Sequence, residues 1–407
     1  MNTSLFIAKR LYNAKENNNN YTRPIIRIAI SAIALSVAIM ILSVFVLSGF
    51  KSDISNKVFG FGGHINISKF SFNQSYENDP INYNTEMSSQ IESMDFVNYI
   101  QAYATKAGII KNNNEILGVV LKGVDQNYDW NFFYENLISG DVPVFNDSVA
   151  KNSILISQNI SKKMKLNVGD DMLIYFMEQP TRVRKFFVSG IYKTGLSEFD
   201  DITAIGDLKH IQKLNNWDIN QIGGYEISVS KFKNIEKYTS EIDESIDYDL
   251  KALSIKQKYP QIFDWLKLQD FNVLIILILM LIVGGVNMIT SLLIIILEKS
   301  KLIGLLKAIG ATNWNIRHIF IYNSLQIILS GLFWGNLIAI SLSLLQSRFH
   351  FIKLDEEIYF MDFVPIKIEL FSLLMINIGT IVICYLILVI PSVVIAKISP
   401  AKSIKFE

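Results

Sequence analysis

Four stretches of this chain carry no charged side chain: 28–50, 271–297, 319–347 and 370–396. A helix needs roughly 20 residues to cross a hydrocarbon core, and each run is long enough. A single run of this kind is compatible with a buried core helix. Four in one chain, half of whose 407 residues are apolar, are read as four membrane spans. The first run is longer than a signal-peptide core, typically about 7–15 residues, and no clear small-x-small cleavage site ends it before Gly49. It is read as an uncleaved anchor.

Short charged flanks orient the spans. Lys9, Arg10, Lys15 and Arg23 precede the first, with Arg27 at its edge. Lys299, Lys301, Lys307 and Arg317 lie between the second and third, and Lys397, Lys402 and Lys405 follow the fourth. Between the third and fourth, Arg348, Lys353 and Lys367 are offset by Asp355, Glu356, Glu357, Asp362 and Glu369. The positive-inside bias puts both termini and the loop after the second span in the cytoplasm. The expected division is a cytoplasmic segment 1–24, a span 25–50, an outer domain 51–268 and a span 269–297. A cytoplasmic loop 298–316, a span 317–346, an outer loop 347–368, a span 369–396 and a cytoplasmic tail 397–407 complete it.

The outer segment reads as mixed α+β. Strand-like runs are HINISKF (64–70), EILGVVLKGV (115–124), DMLIYFM (171–177), RKFFVSGIY (184–192) and GYEISVS (224–230), rich in β-branched and aromatic residues. SQNISKKMKLNVGD (157–170) reads as a short helix closed by a turn at Gly169-Asp170, and NIEKYTSEIDESI (234–246) as another helix. From Tyr259 the pattern turns helical and runs into the second span, a possible stiff stalk or merely a polar flank. The lone Cys384 excludes an intramolecular disulfide, so the outer domain depends on its own core.

No catalytic constellation emerges. The four histidines, His64, His210, His318 and His350, have no ligand spacing, so no metal site is expected. There is no G-x-x-x-x-G-K-[ST] loop, and the chain is not expected to be an enzyme or to hydrolyse ATP by that route. The glycines of FGFGG (59–63) are wrongly spaced for a dinucleotide loop and read as a turn after the first span. Asp200-Asp201 and Asp355-Glu356-Glu357 read as solvated acidic loops. Polar residues within the spans are uncharged, so the usual sign of proton or ion coupling is missing. Gly284 and Gly285 in the second span, and Gly331 and Gly335 as a G-x-x-x-G in the third, read as helix-packing positions.

Between the second and third spans lies EKSKLIGLLKAIGATNW (298–314). Leu302, Leu305, Leu306 and Ile309 follow i, i+3, i+4, i+7 spacing, one apolar stripe of a short helix that Gly310 would stop. The residues alone leave two readings open. The helix lies flat on lipid headgroups, or it lays its stripe into a groove on a cytoplasmic partner.

A resemblance bears on the choice. EKSKLIGLLKAIGATNWNIRHIFIYNSLQIILSGLFWGNLIAI resembles the permease signature of the FtsX/MacB superfamily of ABC transporters, through Glu298, Ile303, Gly304, Leu306, Lys307, Ala308, Gly310, Ala311, Ile319, Phe320 and Gly331. The ending PSVVIAKISPAKSIKFE is similar to the family terminus through Pro391, Ala396, Pro400, Ala401, Ile404 and Lys405. LFIAKRLYNAKE (5–16), LKGVDQNY (121–128), ISGDV (138–142), FFVSGIYKTGLSEFDDITA (186–204) and IYFMDFVPIKI (358–368) resemble the lipoprotein-releasing permeases LolC and LolE. Gln126 stands where that family often has Pro, and Ser157 where it often has Gly. MEQPTRVR (177–184) lies where LolC carries a longer, proline-containing hook that docks a periplasmic carrier.

The resemblance implies an integral membrane protein of four transmembrane helices with a large α+β periplasmic domain of the MacB-like porter (Sabre) type, in the bacterial inner membrane. It implies that Glu298, Lys301, Leu302, Gly304, Leu305, Leu306, Lys307, Ala308 and Gly310 couple to a separate LolD-like ATPase, with ATP acting through that partner and no cofactor bound directly. It implies a second permease subunit, a lipoprotein substrate drawn from membrane lipid, and a LolA-like carrier for which Gln179 and Pro180 are the docking candidates. No nucleic acid is expected. MacB-like efflux of toxins, peptides or drugs and FtsX-like regulation of a cell-wall hydrolase share the architecture and remain alternatives.

Overall fold

The computed structural model describes residues 22–71, 75–112, 115–146, 150–359 and 361–392. The family-like motif at 5–16 and the C-terminal motif from residue 393 onward lie outside the described residues. In chain order the elements begin α1 (Thr22–Gly62), β1 (Ile65–Lys69), β2 (Ile81–Asn82), α2 (Thr85–Glu92), β3 (Val97–Asn112), β4 (Glu115–Val124), α3 (Asn131–Glu135) and β5 (Leu137–Gly140). They continue β6 (Ser153–Ser157), α4 (Gln158–Met164), β7 (Asp171–Phe176), β8 (Arg182–Tyr192), α5 (Ser197–Asp200), β9 (Thr203–Asp207), α6 (Leu208–Asn215), β10 (Gln221–Ile222) and β11 (Gly224–Val229). The remainder are α7 (Ile235–Asp243), β12 (Leu250–Ser254), α8 (Ile255–Lys258), α9 (Pro260–Glu298), α10 (Ser300–Ala308), α11 (Asn313–Phe349), α12 (Glu356–Tyr359) and α13 (Leu370–Ser392).

The chain forms two units. One holds the described residues up to Ser52, with Trp265–Lys353 and those from Phe363 on; the other holds Asp53–Asp264 and Leu354–Asp362. In the first unit α1, α9, α11 and α13 are long and apolar enough to cross a membrane. Their buried faces follow helical spacing. Ile33, Val37, Ile41 and Phe45 of α1 meet Met288, Leu292, Ile295 and Ile296 of α9 and Phe320, Ile327, Ile328 and Leu332 of α11 in one cluster. Gly331 and Gly335 face α1: a Cβ at Gly335 would fall 2.8 Å from the Ala34 carbonyl oxygen, and one at Gly331 2.6 Å from Ile33 Cγ2. Small residues permit this backbone approach. A Cβ at Gly285 would meet the end of the Ile387 side chain at 2.6 Å, whereas one at Gly284 has nothing nearer than Ser36 Oγ at 3.8 Å.

Two polar contacts tie segments of this unit together. Asn336 of α11 and Asn377 of α13 exchange amide hydrogen bonds of 2.7 and 2.9 Å. Gln346 donates to the carbonyls of Ile352 and Val364 and accepts from the Ile352 N–H, which pins the segment after α11.

The helices α1, α9 and α11 outrun the charge-free stretches. The turn expected at FGFGG is corrected: Phe59–Gly62 stay helical, and the chain turns only at Gly63, whose φ of +65° favours glycine. No proline interrupts this segment. α9 opens on Pro260, whose missing N–H costs nothing at the first position of a helix.

The outer unit is built on a ten-stranded mixed sheet in the order β12-β1-β11-β3-β4-β9-β6-β8-β5, with β7 pairing β3 and β8. The β4–β9 and β6–β8 pairs are parallel and the rest antiparallel. β3 is the spine, with Ala104, Lys106, Gly108 and Ile110 on its inward row. Gly108 lets β7 close in, since a Cβ there would meet Ile174 at 2.6 Å. Ile160 and Met164 of α4, Leu208, Ile211 and Leu214 of α6, and Ile235 and Ile242 of α7 are buried in this unit. Side-chain caps start α4 and α6: Ser157 accepts from Ile160 N–H at 3.0 Å and Asp207 from Lys209 N–H at 3.0 Å.

His64, just past the end of α1, lies against Phe59 at 4.2 Å between ring centroids, and its Nδ1 accepts from the Val229 N–H at 3.3 Å. Burial pushes its pKa down from 6.5 to about 4. Protonation is therefore easier in the unfolded chain, and the stability tied to neutral His64 is present above pH 6.5 and lost as pH falls toward 4. Comparing His64→Gln with the parent by thermal unfolding across that window should show a shallower acid decline in the variant; parallel curves would exclude the effect. In the membrane unit, Gly335→Ala should lower stability in detergent by about 1–3 kcal/mol through overpacking. Gly284→Ala should be neutral or mildly stabilising, because helix propensity favours Ala by roughly 0.8–1.0 kcal/mol.

Candidate functional site

The residues between the second and third spans form α10, separated from α9 by Lys299 alone. Gly310, with φ +97°, ends the turn, and Thr312 caps α11 by accepting from Asn315 N–H at 3.2 Å. Ile303 and Gly304 are buried, Ile303 within the membrane unit's core cluster. Leu302, Leu306 and Lys307 are half-buried, while Lys301 and Ala308 are exposed. Leu305 is 54% and Ile309 74% exposed. The expected single stripe is thus split. At about 100° per residue, Ile303 and Gly304 point well away from the Leu305–Ile309 line. The helix lies on the bundle by its Ile303 edge and leaves Leu305 and Ile309 open. Trp314, 66% exposed, adds a third open apolar side chain, with its ring 4.6 Å from that of His318. Glu298 lies 3.7 Å from Lys299.

A second cluster sits on the outer unit. β7 and β8 pair up to Phe176↔Arg182, so Met177–Thr181 form the hairpin tip. Gln179 and Pro180 are exposed there. Both sides of the tip are anchored. Glu178 pairs with the buried Lys106 at 2.6 Å, and Lys106 also reaches Glu77 at 3.2 Å. Arg182 donates to the carbonyls of Lys213 and Leu214 at 2.9 and 2.8 Å and to Asn216 Oδ1 at 3.1 Å, thereby satisfying open carbonyls at the end of α6. Sequence reasoning singled out Gln179 and Pro180 but missed both anchors. Lys106 occupies an inward position of β3, and no local pattern marks it: only its partners, remote in sequence, make a buried lysine tolerable.

Outside those two places, the outer unit holds a lysine and a glutamate buried together, Lys122 and Glu226, 2.8 Å apart. Burial lowers the pKa of Lys122, and Glu226 beside it pulls it back up. No sequence pattern marks this pair, since its partners lie on β4 and β11. Among the described residues no group of three His, Cys, Asp or Glu side chains could hold a metal ion.

The comparisons with known proteins cover nearly the whole chain. The family model described as MacB-like periplasmic core domain matches residues 28–244, and that described as FtsX-like permease C-terminal matches 274–400. The lipoprotein-releasing system transmembrane protein LolC of Buchnera aphidicola subsp. Schizaphis graminum is 25% identical over 406 residues, covering 95% of each chain. The lipoprotein-releasing system transmembrane protein LolE of Haemophilus influenzae is 22% identical over 438 residues, covering 99% of each. The extracellular domain of the ABC-type transporter YknZ is 14% identical with a TM-score of 0.33, covering 47% of this chain and 99% of that one.

If the Lys106 contacts hold the hairpin tip, Lys106→Met should speed amide hydrogen exchange at Met177–Thr181 severalfold while leaving the β3–β4 amides protected. Unchanged exchange at the tip would show that Arg182 alone suffices.

Proposed function

Because the chain belongs to the MacB-like periplasmic core domain family and carries an FtsX-like permease C-terminal region, we propose that it is the membrane subunit of an ABC transporter of the lipoprotein-releasing type. The observation that carries this reading is that relatives named LolC and LolE align over nearly the whole chain, membrane helices and outer unit alike.

In this reading α10 is the coupling helix. Leu305 and Ile309, open on its outer edge, enter a groove on a LolD-like ATPase, and Lys301 and Lys307 flank them. Glu298, Leu302, Gly304, Leu306, Ala308 and Gly310 set the helix's placement and ends. The ATPase supplies hydrolysis, and this chain supplies the path and the lever. Lysines at 299, 301 and 307 support a reading in which the loop is cytoplasmic and the outer unit lies in the periplasm of a bacterial inner membrane. The second and fourth spans are only 17% buried over their most apolar windows, against 44% for the first, which leaves surface for a second permease subunit and for lipid. Each CH₂ of an acyl chain is held in the bilayer by about 0.8 kcal/mol, so extraction of a lipoprotein calls for a coupled energy source. The anchored tip bearing Gln179 and Pro180 is the docking point for a LolA-like carrier.

Depletion of the protein in its native cell, followed by membrane fractionation, tests the reading. Lipoproteins destined for the outer membrane should accumulate in the inner membrane. Normal sorting would redirect attention to efflux of other substrates or to regulation of a cell-wall hydrolase. Leu305→Asp should abolish copurification of the ATPase while the protein remains folded; full recovery of the ATPase would refute the coupling role.

A further inference from the structure

The last turn of α1 lies in the outer unit, and so does the segment leading into α9. Helices leave carbonyls open at their C-termini, and these need donors when buried. Lys122 donates to the Phe61 carbonyl, and the Asn66 side-chain amide donates to the Gly62 carbonyl. Asn66 also accepts from Lys258, which ends α8 just before Pro260 opens α9. One asparagine therefore ties the end of α1 to the approach to α9. Glu226 holds Lys122 at 2.8 Å and accepts from Gln101 Nε2 at 3.2 Å. A second tie runs in parallel: the Phe199 ring stacks on Phe61 at 4.6 Å and meets the edge of Tyr259 at 5.1 Å.

This arrangement is poorly explained by stability. A buried ion pair is often no better than apolar side chains of the same volume. A cavity of about 180 Å³ also opens beside Lys122, Glu226, Lys258 and Tyr259, so close packing around the polar ties is incomplete. What the polar ties provide is fixed geometry.

We propose that Asn66, Lys122, Glu226 and Lys258 are positioning residues that hold the end of α1 and the approach to α9 at a set spacing, so that a displacement of one is passed to the other within the outer unit. The functional consequence rests on the transporter reading above; the geometric claim does not.

The test uses the full-length protein with Cys384→Ser and spin labels at Asn56→Cys and Asp264→Cys. The parent should give one narrow interspin distance distribution. Lys122→Met with Glu226→Leu, which removes both charges, should broaden it about twofold while thermal unfolding stays cooperative, because paired apolar replacement is often tolerated. An unchanged width in the folded double variant would overturn the proposal. Should the double variant fail to fold, Lys258→Gln, which leaves the buried pair intact, is read by the same criterion. In vesicles reconstituted with the ATPase partner, the broadened variant should keep ATP hydrolysis and lose lipoprotein release roughly tenfold, a split that a merely structural defect would not produce. Release at the parent level would overturn the coupling. If the parent itself releases no lipoprotein, the transporter reading fails, and the label distances still decide the junction.

Discussion

Hydrocarbon offers no hydrogen-bond partners, and the membrane unit depends on that constraint. Each span must satisfy its backbone internally, which is why all four are helices. The same constraint governs the side chains. Asn336 and Asn377 answer each other across two helices, and Gln346 answers the backbone of the segment that follows it. Asn323 Oδ1, Ser324 Oγ and Ser343 Oγ are buried without a hydrogen-bond partner among the described residues. Within the charge-free stretches packing and hydrogen bonding hold the helices in register, and beyond them an ion pair of 2.6 Å between Lys51 and Asp270 joins α1 to α9.

The outer unit meets the opposite demand. It buries full charges, Lys106 and Lys122, and must neutralise each locally. Breaking one partner of such a pair costs about 3–5 kcal/mol, although the pair itself adds little. Charged side chains therefore act here as locators. One fixes the hairpin tip, and the other meets the last turn of α1.

Much of this architecture was legible in the sequence. Charge-free runs marked the spans, and β-branched runs marked β1, β4, β7, β8 and β11, because periodicity and composition are local properties. The longest strand, β3, escaped: VNYIQAYATKAGIIKN mixes polar residues, alanines and glycine, and its inward row includes Lys106. FGFGG looked like a turn because glycine favours turns, yet Gly60 and Gly62 continue the helix. The stripe on α10 was legible, but not which edge of it the bundle would bury, since Ile303 is placed by residues of other helices. Lys122 and Glu226 lie far apart in the chain, and only the strand order brings them together.

The anchored hairpin has an entropic consequence. Ordering a residue's backbone costs about 1–2 kcal/mol, and a long mobile loop must lose that freedom for every residue a partner immobilises. Between Glu178, held by Lys106, and Arg182, held at the end of α6, only three residues remain. A partner that docks on them meets a surface whose conformational freedom was already surrendered when the domain folded. A short tip of this kind can therefore match the affinity of a longer loop with fewer contacts.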